Sequence, residues 1–585
     1  MIKRKLKLQW VSDVIGEEYN EWQPGDWVKV ISAPGTGKTY FILNKLIKYL
    51  EYDERVLILC NRIALKRQMK IDLLKNMNEE IPKTKSGKID YEAIDKMKDF
   101  DNIRIMSYQQ LGSQYKKHEF KSEVHKYNLE NYKYIVADEC HFFYSDGKFN
   151  PNTEYALKQL LGEGRMAIKI FISATIGKLD KLLSDAVKKF GINFIFQKTK
   201  MWNYDTGTDY SYLNFKYFKK LESLAKVINN DNSDEKWLIF VNSDYERKKL
   251  ASMLKCDFDY INSERKNNKQ FQNIINNCQF TCKVLISTTV IDNGVNIKDD
   301  KLINLVLMCK DWATFLQELG RIRYENIDGE IYSNEITLYL MIRSKKDFNR
   351  IKDQHKFVDE QIKLFNNDRE DFNYKFSEFD KKTPCKDYLN MIFRNGKENG
   401  QWEISSLGLD IYNEEKSFIK NMIYEFNGNY SMKQLIEDLN GEWIGIPEYT
   451  FIEQELKWLF PKWKDKSTDD YKIVLSEMLK FEINTIDNDV ELEEVEELRI
   501  YLDNMFKNKV VMLSKIDREP LVKRIGLYDT NHGKLFSGRE TLNSYLKDNN
   551  IPYKIREFET SRMIDGKKKK FKCAWKLEKI EIKTY

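Results

Sequence analysis

Eight consecutive residues, Ser32-Ala-Pro-Gly35-Thr36-Gly37-Lys38-Thr39, have the types and order needed to wrap a phosphate. Glycines at 35 and 37 let backbone N–H groups turn inward, and the helical pattern that follows adds partial positive charge. Lys38 can then reach the β and γ phosphates while the Thr39 hydroxyl ligates magnesium. The loop predicts ATP with Mg2+ as cofactor, held by Gly35, Thr36, Gly37, Lys38 and Thr39. Ser32 stands where the general pattern has glycine, a mild change because the turn keeps its other two. About 100 residues on, the apolar run Tyr134–Ala137 ends on Asp138-Glu139, followed by Cys140-His141. Paired carboxylates at the C-terminal end of a strand beside a phosphate loop suit a division of roles. Asp138 holds the metal's water shell, and Glu139 polarises the attacking water. Gln317-Glu-Leu-Gly320-Arg321-Ile-Arg323 closes a helical pattern with two planar, forked donors. Such donors can meet a transferring phosphoryl group held by another part of the chain, Arg321 nearer the γ phosphate and Arg323 supporting.

Asp138-Glu139-Cys140-His141 resembles the DExH box of superfamily 2 helicases of the DExH/DEAD-box type, and further resemblances follow in family order. Asn61-Arg62-Ile-Ala-Leu65 and Ser107-Tyr108-Gln109-Gln110 resemble the first-lobe segments that hold one strand's phosphodiester backbone, which implies nucleic-acid contacts for Asn61, Arg62, Ser107 and Gln109. Ser173-Ala174-Thr175 is similar to the motif that couples the ATP site to the nucleic-acid track. His141 is positioned to link it to the carboxylates, a hydrogen-bonded structural histidine being the alternative. The segment from Thr288 to Ile297 resembles the fifth motif, which touches backbone through Thr288 and nucleotide through Asp292 and Gly294. Gln317 to Arg323 resembles the sixth, the source of arginine fingers; the common pattern has its last arginine where this chain has Tyr324. The resemblance implies ATP in a cleft between two RecA-like lobes and a single-stranded or forked nucleic acid as partner. The compact sixth segment resembles DExH proteins of phage and viral replication, including origin-binding helicases, so DNA is expected over RNA, in replication of a phage or mobile element. An RNA helicase is one alternative. The other is a nucleic-acid-sensing ATPase switch, for example in anti-phage defence, that does not unwind processively.

The elements that position these residues are legible as alternation. Short aliphatic runs (Val28–Ile31, Val56–Cys60, Ile103–Ser107, Tyr134–Ala137, Ile168–Ser173) alternate with helical patterns. A second series (Trp237–Val241, Phe258–Ile261, Val284–Ser287, Leu305–Met308, Ile336–Met341) repeats the arrangement. The fold class is therefore α/β, two parallel-sheet lobes at 1–204 and 205–345. The polar residues Asn203, Asp205, Gly207 and Asp209 mark 200–212 as the hinge between them. From 346 to 510 long polar helical segments predict a mainly helical accessory region, and 511–585 form a basic module. In that module Ser537 to Glu540 reads as a capping box, and two strand-like runs, Tyr553–Phe558 and Phe571–Leu577, flank a basic turn at Lys567–Lys570. The order is compatible with a winged helix whose Lys567, Lys568 and Lys569 contact phosphates, or with a solvated hairpin tip whose lysines prevent edge pairing.

Hydrophobic residues at 42% support a folded chain despite 32% charged residues, and a net charge of +6 is too small to decide the partner by itself. Residues 551–585 hold eleven Lys or Arg against five Asp or Glu, so basic charge is concentrated there. Glu482 to Glu497 carries eight acids and no base. It offers either a docking segment for a protein partner through the C-terminal region or a solvated helix face. Eight scattered cysteines, several in apolar runs, suit a reducing, cytoplasmic setting, and no export signal or membrane span is visible.

Overall fold

Apolar runs alternating with helices close into two parallel sheets. The computed structural model describes residues 3–580 apart from 122–127, 175–180, 189–199, 263–267, 289–296, 396–400, 428–449, 466–484, 530–533 and the single positions 49, 62, 86, 98, 151, 182, 185, 186, 377, 381, 464 and 565. The chain divides into two compact units, residues 1–219 with 231–483, and residues 220–230 with 484–585. No helix among the described residues is long and apolar enough to cross a membrane.

The first lobe's sheet runs Asp99–Phe100, Ile103–Ser107, Val56–Cys60, Tyr134–Asp138, Ile168–Ser173, Trp27–Ile31, Met201–Asp205, parallel except at its first pair. Its strands are buried on both faces, as parallel sheets covered by helices require. Val28, Val30, Ile58, Val136 and Ile170 pack on one side, and Leu57, Leu59, Ile135 and Phe171 on the other. The second lobe's sheet is parallel throughout, in the order Phe258–Ile261, Val284–Ser287, Lys236–Phe240, Leu302–Leu307, Ile336–Met341, Leu213–Phe218. The chain thus has the two RecA-like lobes expected of it. Lys3–Lys5 pairs antiparallel with Glu330–Asn334, so the start of the chain joins a hairpin that follows the second lobe's arginines.

The expected hinge is corrected by the first of these sheets. Met201–Asp205 is an edge strand, paired in parallel with Trp27–Ile31. Buried Tyr204 stacks against Trp202 at 6.5 Å, and the Trp202 indole donates to Asp26 Oδ2 at 2.9 Å. These contacts override the polar composition, leaving the connection to residues 206–212.

Beyond residue 345 the accessory region is built on two long helices, Lys345–Asn367 and Ser406–Glu425. Each contributes to two cores. Phe348, Ile419, Met422 and Phe426 belong to the second lobe's cluster, whereas Val358, Leu407, Ile411 and Tyr412 belong to a cluster of the first. Trp402, Trp458 and Trp463 are buried as core residues, and Trp443 lies outside the described residues. Glu154, 2% exposed, fastens this region to the first lobe by accepting from the Ser405 hydroxyl at 3.0 Å and the Ser406 amide at 2.8 Å.

In the second unit, which also holds the helix Leu221–Asn230, the elements Ile486–Lys507, Val511–Met512, Lys515–Ile525, Arg539–Asp548, Tyr553–Ile564 and Lys567–Lys579 come in the order helix, strand, two helices and a hairpin, with the short strand pair Tyr528–Asp529 and Lys534–Leu535 between the two helices. The short first strand pairs with the last, which is the order of a winged helix. The acidic stretch lies partly on Ile486–Lys507, where Glu493 and Glu494 pair with Lys226 at 3.4 and 3.6 Å. Two local expectations are corrected here. The helix after Ser537 starts at Arg539 with Gly538 as its cap and no side-chain cap, one residue out of register for a box. Lys567–Lys570 lie within a strand rather than a turn, because pairing runs on to Ile564–Lys567 and Gly566, at φ +74°, carries the reversal.

Gly408 shows how closely the accessory helix is seated. A Cβ there would lie 1.9 Å from the Met391 carbonyl oxygen, backbone that cannot swing aside. Gly408→Ala is expected to cost about 3 kcal/mol or more in a denaturant melt.

Candidate nucleotide site

The phosphate loop is fixed from below by its own hydroxyls. The Ser32 and Thr36 hydroxyls hydrogen-bond at 2.8 Å, Thr36 donates on to the Ala33 carbonyl at 2.7 Å, and the Ala33 amide donates to Thr206 at 2.9 Å. Ser32, where glycine is usual, thus gains a structural bond. Gly35 and Gly37 sit at φ +82° and +84°, left-handed geometry that glycine adopts without strain. A short helix, Lys38–Phe41, begins immediately and continues as a π-helical turn, Ile42–Leu46.

The carboxylates come from the strand Tyr134–Asp138. Glu139, at φ +50°, holds a backbone conformation that non-glycine residues rarely adopt, a strain that functional sites concentrate. Burial alone would raise Glu139, but the Lys38 ammonium, which hydrogen-bonds Oε1, and His141 hold it well below the usual carboxylate range. Burial, with the Glu139 charge beside it, instead pushes the Asp138 carboxyl up to about 6. Buried Asp138 Oδ1 has no hydrogen-bond partner among the described residues, which suits a carboxylate oxygen meant for a hydrated cation. With the Thr39 hydroxyl one residue after Lys38, the donor set fits magnesium. His141 Nδ1 lies 3.2 Å from Glu139 Oε2 and 3.0 Å from the Ser173 hydroxyl, so one imidazole joins the carboxylate strand to the end of Ile168–Ser173.

Across a narrow cleft stand residues of the second lobe. Lys38, Glu139 and His141 line a small cavity together with Gln317, Gly320, Arg321 and Arg323. Arg321 is buried, its Nε donating to the Gln317 carbonyl at 2.8 Å. Loss of hydration, and the charge of Arg321 next to it, pull the Arg323 guanidinium down to about 10, while Glu139 opposes the shift. The helix Trp312–Leu319 is capped by Asp311, which also pairs at 3.1 Å with Lys148 of the first lobe. Gln317 Nε2 is buried without a hydrogen-bond partner among the described residues.

One aromatic escaped the sequence reading, and a second was noted there only as a departure from the family pattern. Trp10 lies against Gly37, its ring 3.3 Å from where a Cβ would stand, and its indole donates to the Gly329 carbonyl at 2.7 Å. Tyr324, at the position of the family's last arginine, packs 3.7 Å from the corresponding point on Gly35. A tryptophan in a short basic segment carries no motif, and only the fold brings it over the loop.

Asn61, Ser107 and Gln109 gather at the C-terminal ends of adjacent strands, where Gln109 donates to the Asn61 carbonyl at 3.3 Å. Thr288 follows Val284–Ser287 in the second lobe. Lys567, Lys568 and Lys569 are exposed on the hairpin of the second unit. Arg62, Thr175, Asp292 and Gly294 lie outside the described residues.

Residues 10–178 match the family model described as type III restriction enzyme, res subunit, and residues 219–324 match the helicase conserved C-terminal domain. Each match contains its half of the cleft just described. This chain carries the two-domain ATPase core of a superfamily 2 helicase. Among curated proteins it is 28% identical over 139 residues to the pre-mRNA-processing ATP-dependent RNA helicase PRP5 of Candida glabrata, a match spanning 22% of this chain and 17% of the relative. Among solved structures, S. cerevisiae Dbp5 bound to RNA and ADP BeF3 is 16% identical with a TM-score of 0.38, covering 56% of this chain and 81% of that one. The DEAD-box helicase Mss116 bound to ssRNA and UDP-BeF is 13% identical with a TM-score of 0.39, covering 65% and 84%. Likenesses this distant leave the assignment of the superfamily 2 core resting on the two domain matches.

The contact between lobes is testable at Gly320, where a Cβ would come within 2.7 Å of the Pro34 ring. In Gly320→Ala the arginine-bearing helix must draw back from the phosphate loop. Steady-state kinetics should show kcat for ATP hydrolysis down by about tenfold or more, since a displacement near 1 Å can cost that much, with little change in melting temperature.

Proposed function

We propose that this protein is a nucleic-acid-dependent ATPase that moves along, and separates, strands of nucleic acid. The observation that carries the reading is one cleft in which Lys38 and Glu139 of the first lobe share a cavity with Arg321 and Arg323 of the second. Lys38 binds phosphate, and to do so it must exchange its contact with Glu139 for the nucleotide. Glu139, kept ionised, accepts the proton of the attacking water, and Arg321, with Arg323 behind it, meets the charge that develops on the γ phosphate. Thr39 and Asp138 would hold Mg2+, which when bound neutralises phosphate charge. Because the two halves of the site belong to different lobes, hydrolysis is linked to their closing and opening. His141 and Ser173 pass that change from the carboxylates toward the strand ends at Asn61, Ser107 and Gln109, where a single strand is gripped.

DNA is the preferred track, in replication of a phage or mobile element within the cytoplasm, on the compact sixth segment Gln317–Arg323. RNA is the second reading, supported by the curated relative, whose name is that of an RNA helicase. A protein partner at the C-terminal unit completes the proposal.

Steady-state ATP hydrolysis by wild type and Glu139→Gln, with no polymer, single-stranded DNA or RNA of the same sequence, tests it. DNA stimulation that falls at least about 100-fold in the variant, with ATP binding retained, is expected. Stimulation by RNA alone moves the track to RNA, and hydrolysis indifferent to both polymers, or to the loss of Glu139, overturns the proposal.

A further inference from the structure

Among the described residues, the hairpin Tyr553–Ile564 with Lys567–Lys579 is anchored at its base. Tyr553, Ile555, Ala574, Trp575 and Leu577 are buried in the core of the second unit. Past the irregularity at Phe558–Thr560, every residue described on the first strand through Ile564 is exposed or half-buried, as are Lys567 to Lys570 opposite. Five residues of strand extend it by about 17 Å. A free, regular ribbon of this kind presents both of its faces and its tip to whatever the unit binds.

The charge on those faces is what the register makes specific. Directly paired residues share a face, and alternate residues change face. Arg562 pairs with Lys569 and Ile564 with Lys567, placing Arg562, Lys567 and Lys569 on one side. Ser561 pairs with Lys570 and Met563 with Lys568, placing Lys568 and Lys570 on the other, where Glu559 pairs with Lys570. A ribbon lying along one strand, or on the surface of a duplex, needs cations on one side only. Cations on both sides suit a ribbon with phosphate backbone on each side of it. At the tip, Met563 is 66% and Ile564 41% exposed, apolar side chains of the kind that wedge against stacked bases.

We infer that this hairpin is the pin that parts the strands at a junction of single- and double-stranded nucleic acid. One strand's backbone passes over Arg562, Lys567 and Lys569, the other over Lys568 and Lys570, and Met563 and Ile564 bear on the last base pair. The inference rests on the motor reading for its use, but its binding test needs no ATP. Equilibrium binding of the full chain to a forked DNA, a blunt duplex and a single strand of matched sequence should favour the fork. Lys567→Ala with Lys569→Ala, and separately Lys568→Ala with Lys570→Ala, should each weaken fork binding by at least about threefold at low salt. Met563→Ser with Ile564→Ser, at exposed positions, should lower the number of strands displaced per ATP hydrolysed by about tenfold, because the tip then has no apolar side chain to bear on the stacked bases. Weakening by only one of the two lysine pairs would overturn the pin in favour of a one-sided contact. Unchanged fork binding in both pairs, or unchanged displacement per ATP in the tip variant, would also overturn it. Failure of the motor reading is seen separately, as wild-type hydrolysis that ignores nucleic acid while the fork preference still stands.

Discussion

Asp138 and Glu139 are neighbouring carboxylates at the buried end of an apolar strand, and two negative charges there repel each other and lack water. Cations must surround one of them for both to remain. The Lys38 ammonium does so for Glu139, with the His141 ring hydrogen-bonded beside it, and Glu139 stays ionised, while Asp138, with less compensation, is held nearer neutrality. The arginines of the second lobe extend the same balance across the cleft, since Glu139 is among the charges that keep Arg323 protonated. The phosphate loop, the carboxylate strand and the arginine helix are therefore one electrostatic unit spread over two lobes. A phosphate group brought to Lys38 alters that balance in every part of it.

The accessory helices set limits on how the lobes can respond. Phe348 and Val358 lie on one helix and Ile411 and Ile419 on another, yet in each pair one residue belongs to the first lobe's core and one to the second's. Helices of 23 and 20 residues are roughly 35 and 30 Å long at 1.5 Å per residue, enough to act as struts between two packed domains. Lobe motion must then be accommodated near their middles or by repacking at one end.

The site was legible in sequence because its chemistry is compressed into strand ends. A loop with Gly35, Gly37 and Lys38, a strand ending on Asp138 and Glu139, and a helix ending on Arg321 each carry their function in adjacent residues. Continuous apolar runs bounded by helical patterns made most of both sheets readable, the edge strands Met201–Asp205 and Leu213–Phe218 excepted. What escaped notice depends on contacts far apart in the chain. Trp10 meets Gly37 and Gly329, Lys3–Lys5 pairs beyond residue 330, and Tyr204 recruits a polar segment into a sheet. The hairpin's two-sided charge emerges only once register is known, because a run of four lysines looks the same in a turn and in a strand. The split allegiance of the accessory helices was hidden for a similar reason, since an apolar stripe does not name the core it joins.

The central claim is that the second lobe completes the ATP site with forked arginine donors. Its most direct test is single-turnover ATP hydrolysis, at saturating single-stranded nucleic acid, by Arg321→Lys, which keeps the charge and removes the fork. The account predicts ATP binding close to wild type and a hydrolysis rate lower by about 1,000-fold, the scale of a lost arginine finger. A rate within a few-fold of wild type would contradict it.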